Sequence, residues 1–503
     1  MRQSHLIISN ASIMWMTRLL LVLPQLVLVP FLIKNIGESG YGIYVLIWSL
    51  MASIDQLEMS LQQGVVKYSA AFLAQKRIDD VNKVVSCSFV YSLFISVVIS
   101  IGILITAKLY PDSDRQMSAS LILIGVMILF IVPLTPYVAI IQSRQRYYIG
   151  AVAETISKYL SLLIVIVWFQ MLGPSLGALI FIMAAMLLLA RLVQVPVAYR
   201  LIPGLRNRPS LFDKNTFRLI AWFGAATVLA SLCLAANTTG IRWMMGSLIS
   251  TSFVAHLAIM LMPGLLMGQI TLAMTITIMP ATSAYEATGD QSILRELLIR
   301  GMRYTMIVAM AGLLAAGLLM RKMLDIWVGA DYLFLTPYAL VLFAGVAFLQ
   351  STSVAHHMLK GLGKLRVVVL IYFTSLVIVP VILILVIYQL CLNPYIAATV
   401  GLFTGNVVCG CLNVCFCARA VGIDLSAIAI RVYSQTLLIA GGSGLIGYLV
   451  LKITGLDRFG EHILLAILIV ILFVVGCYTI FATAEERKQA KVIIRAVRNK
   501  LMP

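Results

Sequence analysis

Charge is what this chain has little of. Only 11% of its 503 residues are Asp, Glu, Lys or Arg and 61% are hydrophobic, whereas a soluble domain averages about 25% charged and roughly 45–50% apolar residues. A water-soluble fold is excluded. Acid is the scarcer sign, with 19 acidic against 37 basic residues and a net charge of +18. In a soluble protein that excess would point to nucleic acid. In so apolar a chain it records topology, because basic residues collect in cytoplasmic loops, and no nucleic-acid partner is expected.

Other absences narrow the class further. Eight cysteines are present, but Cys87, Cys233, Cys409, Cys411, Cys415, Cys417 and Cys477 lie inside apolar runs, where a thiol behaves as a small hydrophobe, so no disulfide framework is implied. In CGCLNVCFC, Cys411 and Cys415 share a helix face and could ligate a soft metal. No His or carboxylate sits close by in sequence to complete a site, and no metal is expected. There is no G-x-x-x-x-G-K-[ST]; GLGKLR at 361–366 lacks the spacing and the hydroxyl, so no ATP-driven cycle and no cofactor are encoded. The longest outer loop, around AKLYPDSDRQ, leaves little room for an extramembrane catalytic site, and the chain is not expected to be an enzyme.

What is present is a succession of apolar runs at about 11–33, 41–70, 84–107, 117–142, 150–171, 175–199, 219–246, 251–280, 302–320, 334–356, 367–390, 394–418, 428–451 and 462–483. Each is long enough to cross the bilayer, at about 20 residues per crossing. The expected fold is all-α: a polytopic membrane protein of about 14 transmembrane helices. The first run carries Arg18, is too long for a signal-peptide core and has no cleavage site, so it reads as the first span. An even number of spans puts both termini on one side. With that side inside, the cytoplasmic segments hold 26 Lys and Arg and the outer ones 7, four more falling within spans; the bias places both termini in the cytoplasm. The break IPGLRNRPSLFDKNTF at 202–217 suggests two six-helix lobes, 1–204 and 205–425, followed by a helix pair and basic tail at 426–503, the layout of a carrier built from two halves. The tail at 484–502 interleaves basic and apolar residues, as an amphipathic surface helix does.

Ionisable residues within spans are the default functional candidates, since each costs at least about 2.5–3.5 kcal/mol at a helix centre unless paired or wet. They are Arg18, Asp55, Glu58, Lys67, Glu154, Lys158 and Arg242. Asp55, Glu58 and Gln62 share one helical face, and the two carboxylates are the candidate coupling site for a proton or sodium ion. Arg18 is expected near the level of Asp55 and able to pair with it; Glu154 and Lys158, at i and i+4, read equally as a structural ion pair. Lys67 and Arg242 could snorkel to headgroups, although Arg242 follows the helix-weakening AANTTG, an interruption tolerated where it lines a wet cavity. Gln269, Thr271, Thr275 and Thr277 form a weaker polar series. Pro24 and Pro30, flanking Gln25, imply a bent first helix.

Four segments carry a family likeness. NIGESGYGIYVLIWSLMASIDQLEMSLQQGVVKYSA, with Gly40, Tyr41, Gly42 and Tyr44 opening the second span and Lys67 before Tyr68, resembles the corresponding stretch of the oligosaccharide flippase (polysaccharide transporter) family of the multidrug/oligosaccharidyl-lipid/polysaccharide (MOP) superfamily. IIQSRQRYYIGAVAETISKYL, LDIWVGADYLFLTPYALVLFAG and MLKGLGKLRVVVLIYFTSLVI resemble later stretches of the same family, in the right order. The resemblance implies a multi-pass protein of the bacterial inner membrane that turns undecaprenyl-diphosphate-linked oligosaccharide units to the outer leaflet for surface polysaccharide synthesis, by alternating access around a cation-lined cavity. Its partners would be that lipid-linked glycan, membrane lipids and the polysaccharide polymerase machinery. Arg18, Lys67, Arg242 and Gln269 are then the substrate-binding candidates, because a diphosphate needs cationic or N–H donors. A lipid II flippase would carry a richer arginine set, and a multidrug/cation antiporter a more acidic and aromatic cavity.

Overall fold

A computed structural model describes residues 20–109, 115–275, 278–288, 291–456 and 458–481. All regular structure among them is helical, and eleven of the helices are long and apolar enough to cross a membrane. The chain is a polytopic all-α membrane protein. Arg18, Thr277 and the basic tail lie outside the described residues.

The first two apolar runs are joined as helix α1, Val22–Ala74. At 1.5 Å per residue its 53 residues would extend roughly 80 Å, far beyond a bilayer. The chain divides it at Gly37, whose φ of 73° lies outside helical space while Pro30 stays within the helix. There follow α2 (Ile78–Leu109), α3 (Arg115–Ser143), α4 (Tyr147–Leu172) and α5 (Leu176–Leu201). The seventh run is α6, residues 214–248, interrupted by a π-helical turn at Ala236–Gly240. That turn coincides with the AANTTG weakness. Next come α7 (Thr251–Thr275), α8 (Ile278–Thr288), α9 (Gln291–Trp327) and α10 (Ala330–Gly361). The last four are α11 (Leu365–Cys391), α12 (Pro394–Val421), α13 (Leu425–Thr454) and α14 (Phe459–Phe481).

Two compact units form. The first holds the residues up to Ile259 together with Tyr372–Val381, that is α1 to α6, the opening turns of α7 and the middle of α11. Val65, Val84, Cys87, Ala139 and Ile220 close one core of this unit, and Val81, Val85, Tyr137, Ile140, Ala198 and Ile202 another. The break at 202–213 is anchored chain. Asn82 donates to Gly204 O at 3.2 Å and accepts from Arg206 N at 2.8 Å, while Ser86 accepts from Arg208 N at 3.1 Å. Asp213 then caps α6, accepting from the amide of Thr216 at 2.8 Å and its hydroxyl at 2.6 Å. Those two bonds hold the Asp213 carboxyl below the usual carboxylate range.

The middle of α11 contains a second π turn, Phe373–Ile378. Asn237, in the π turn of α6, donates to the carbonyl of Leu376 at 2.8 Å. A side chain thus satisfies a backbone group that the wider turn frees, as the hydrocarbon interior requires. On its other side the α6 turn is tied to α1, because Thr239 donates to Ser49 O at 2.8 Å and its hydroxyl lies 2.5 Å from that of Ser53.

The second unit comprises Met260–Ile371 and the residues from Ile382 onward. Here α9 packs on α10, α13 and α14. Arg295 of α9 donates to Val421 O at 3.1 Å, placing a cation on the C-terminal carbonyls of α12, and Gly422, at φ 71°, ends that helix.

Candidate functional site

The second leg of α1 carries Asp55 and Glu58 one turn apart, and three other helices of the first unit bring side chains to them. Arg191 of α5 places Nη2 3.4 Å from Asp55 Oδ1. Glu58, 7% exposed, accepts through Oε2 from the hydroxyl of Thr135 at 2.5 Å. Thr135 directly follows the 3₁₀ turn Val132–Leu134 that interrupts α3, and it lies between Pro133 and Pro136. The other oxygen of Glu58, Oε1, is buried and has no partner. Glu154 and Lys158 of α4 pair at 3.0 Å, and both lie within electrostatic reach of Asp55. Gln62, on the same face as the carboxylates, is buried.

The formal charges do not cancel. Asp55, Glu58 and Glu154 carry three negative charges, and Arg191 and Lys158 two positive ones. Among the described residues, which do not include Arg18, one negative charge is left over, and a bare charge in a membrane is costly. A proton or a cation would offset that charge, and Glu58 Oε1 is a buried acceptor without a hydrogen bond. Among the described residues no three His, Cys, Asp or Glu side chains gather as a metal would require.

Other sequence candidates fall elsewhere. Among the described residues the partner of Asp55 is Arg191; Arg18, the partner expected from the sequence, lies outside them. The 26 basic residues that the sequence puts on the cytoplasmic side include Arg191, yet it lies ten residues before the end of α5, about 15 Å inside the helix. The signal was present, since ARLVQVPV continues the apolar run past it. Thr135 carried no such signal. Lys67, near the end of the second leg of α1, is exposed and sits 5.3 Å from the ring centre of Tyr68. Arg242 follows the π turn of α6 and is half-buried; its Nε is buried without a hydrogen-bond partner, and Tyr41, at the start of the second leg, is within its electrostatic reach. Tyr41 and Lys67 are 26 residues apart on one helix, about 39 Å. Lys67 and Arg242 therefore stand at opposite ends of the leg. Gln269, on α7, belongs to the second unit and is exposed. Thr271 and Thr275 donate to the α7 backbone, at Met267 O and Thr271 O, both at 3.0 Å.

No family model matches the chain, and no curated protein matches it in sequence. Solved structures do resemble it. The lipid II flippase MurJ in an inward closed conformation superposes with a TM-score of 0.70 at 14% identity, covering 94% of this chain and 99% of its own. An inward-facing multidrug resistance MATE family transporter of the MOP superfamily gives 0.67 at 14%, covering 81% and 95%. A MATE transporter from Vibrio cholerae gives 0.56 at 12%, covering 82% and 97%. The chain has the fold of these transporters. At such identities the likeness fixes the path of the backbone, while substrate and coupling rest on the side chains.

Proposed function

We propose that this protein is a flippase of the bacterial inner membrane, with both termini in the cytoplasm, that carries undecaprenyl-diphosphate-linked oligosaccharide from the cytoplasmic to the outer leaflet for cell-surface polysaccharide synthesis. The observation that carries the reading is Arg242: an arginine in a membrane helix, next to a π turn, with its Nε buried and unpartnered. A guanidinium with a donor left open in such a place fits an anionic cargo, because a diphosphate cannot enter an apolar medium bare. Lys67 at the far end of the leg gives the anion a second station, and Arg18 and Gln269 are the further substrate candidates. Coupling is assigned to Asp55 and Glu58, whose cluster, counted over the described residues, is one positive charge short of neutrality, with a proton or sodium ion as the driver. The glycan polymerase machinery would receive the product.

Export of surface glycan by a strain relying on the plasmid-borne chain tests this, with membrane levels of the protein measured in parallel. Arg242→Ala is expected to abolish surface glycan at normal protein levels, Arg242→Lys to retain more than Arg242→Gln, and Lys67→Ala to weaken export. Normal export by an Arg18→Gln, Lys67→Gln, Arg242→Gln variant would overturn the assignment.

A further inference from the structure

We infer that Arg191 is a substrate-phosphate ligand held in reserve: Asp55 and Glu58 occupy it as intramolecular counter-ions, and their neutralisation releases it to the diphosphate. The inference rests on the flippase reading above and assigns a residue and a rule of exchange to it. Three features of the first unit support it.

The first is geometry. Charge-assisted N–H···O bonds run about 2.7–2.9 Å, and the Arg191–Asp55 separation is 3.4 Å through a single Nη. A guanidinium made for bidentate recognition of planar or tetrahedral oxyanions is here held loosely. A diphosphate offering two oxygens would make shorter bonds than the carboxylate does.

The second is access. The Asp55 side chain is 41% exposed and that of Arg191 only 15%. An anion reaching the pair from its exposed side meets Asp55 first, so repulsion keeps it away while Asp55 is ionised. Once Asp55 is neutral, the same approach ends at Arg191.

The third is the charge balance. The groups facing Arg191 are Asp55 and Glu58 from α1 and, through Asp55, Glu154 and Lys158 from α4; α3 contributes the uncharged Thr135. Lys158 is already taken by Glu154 at 3.0 Å. Among the described residues Arg191 is the cation that faces both carboxylates, and one captured proton leaves the pair of carboxylates balanced by it. A second captured proton leaves the guanidinium without a counter-ion in the membrane. A cargo diphosphate then becomes its partner, and reionisation of the carboxylates displaces the cargo. Loading and release follow from a competition among anions for one cation.

Equilibrium binding of undecaprenyl diphosphate to the full chain in nanodiscs, followed between pH 5.5 and 8.5, tests the exchange. The wild type is expected to bind more tightly by at least about tenfold as pH falls, the effect of one linked proton over a pH unit. Protonation of the ligand itself works in the opposite direction and equally in every variant. Asp55→Asn/Glu58→Gln should bind tightly with no such rise, Arg191→Gln weakly at every pH, and Arg191→Lys between the two with the rise retained. Calorimetry of the wild type in two buffers of different ionisation enthalpy gives an independent readout that no variant's folding can obscure, and net proton uptake on binding is expected. Arg191→Gln binding as the wild type does, with the same pH profile, or binding without proton uptake, would overturn the inference and leave the flippase reading intact. No binding by the wild type at any pH would remove the flippase reading itself.

Discussion

Glu58 keeps one oxygen on the Thr135 hydroxyl and leaves the other buried without a donor. A buried acceptor that loses its donor costs about 1–3 kcal/mol, so Thr135→Val, of nearly equal volume, is expected to lower the unfolding temperature of the purified protein and to change the ion dependence of transport. Unchanged stability would mean that Glu58 draws its support from elsewhere. The pairing of Asp55 with Glu58 and Gln62 was legible in the sequence because spacing along one helix fixes which residues share a face. Their partners were not. Arg191 is 136 positions from Asp55 and Thr135 is 77 from Glu58, separations that only the packing of helices closes. The i, i+4 pair of Glu154 and Lys158 needed no packing and was readable at once.

Two helix interruptions show what the element scale adds. Prolines in the first span suggested a bend, but the residue that leaves helical space is Gly37, with Pro30 kept inside the helix; a proline marks strain in the hydrogen-bond ladder, whereas a glycine can adopt the positive φ that ends it. Five residues on, Gly42 lies so close to Thr251 that a Cβ would stand 1.8 Å from its carbonyl oxygen. Backbone cannot yield as a side chain can. Gly42→Ala is therefore expected to separate α1 from the start of α7, where Ser39 and Thr251 also share a hydroxyl contact of 2.7 Å, and to leave little folded protein, as read by size-exclusion profile and melting temperature. The Asn237–Leu376 bond makes a milder case. Its loss in Asn237→Ala strips a π turn of its one side-chain donor at that carbonyl, at a cost of about 1 kcal/mol. The AANTTG segment announced a weak helix in the sequence. That it is tied to a second π turn in α11 could not be read from either segment alone.

At the scale of the whole molecule the firmest sequence reading, topology, can be argued from structure and charge together. Within the first unit the start of α2, the end of α3 and the residues following α5 share one core, through Val81, Ile141 and Ile202, so these turns lie at one end. Asn35, Gly40, Arg115, Pro174 and Gly177, from the bend of α1 and the starts of α3 and α5, line one cavity of about 450 Å³, so they lie at another. Packing sorts the ends without saying which faces the cytoplasm. The proposed orientation rests on charge. The first end carries Lys76, Arg77, Lys83, Arg144, Arg146, Arg200, Arg206, Arg208 and Lys214, and the second Lys34, Lys108 and Arg115, with Arg242 inside its helix near them. Removing Arg191 from the inner tally, as its depth in α5 demands, leaves the asymmetry nearly as large. Short loops rich in Lys and Arg stay on the cytoplasmic side, and the hydrogen bonds from Asn82 and Ser86 hold Arg206 and Arg208 in such a loop with their side chains exposed. Single cysteines in a background with the exposed native thiols replaced should therefore be labelled by a membrane-impermeant maleimide from outside at Pro174→Cys, and at Arg206→Cys or Arg146→Cys only after the cells are opened. Labelling of Arg206→Cys in intact cells would invert the unit in the membrane, and with it the side from which Arg191 and Arg242 would receive their cargo.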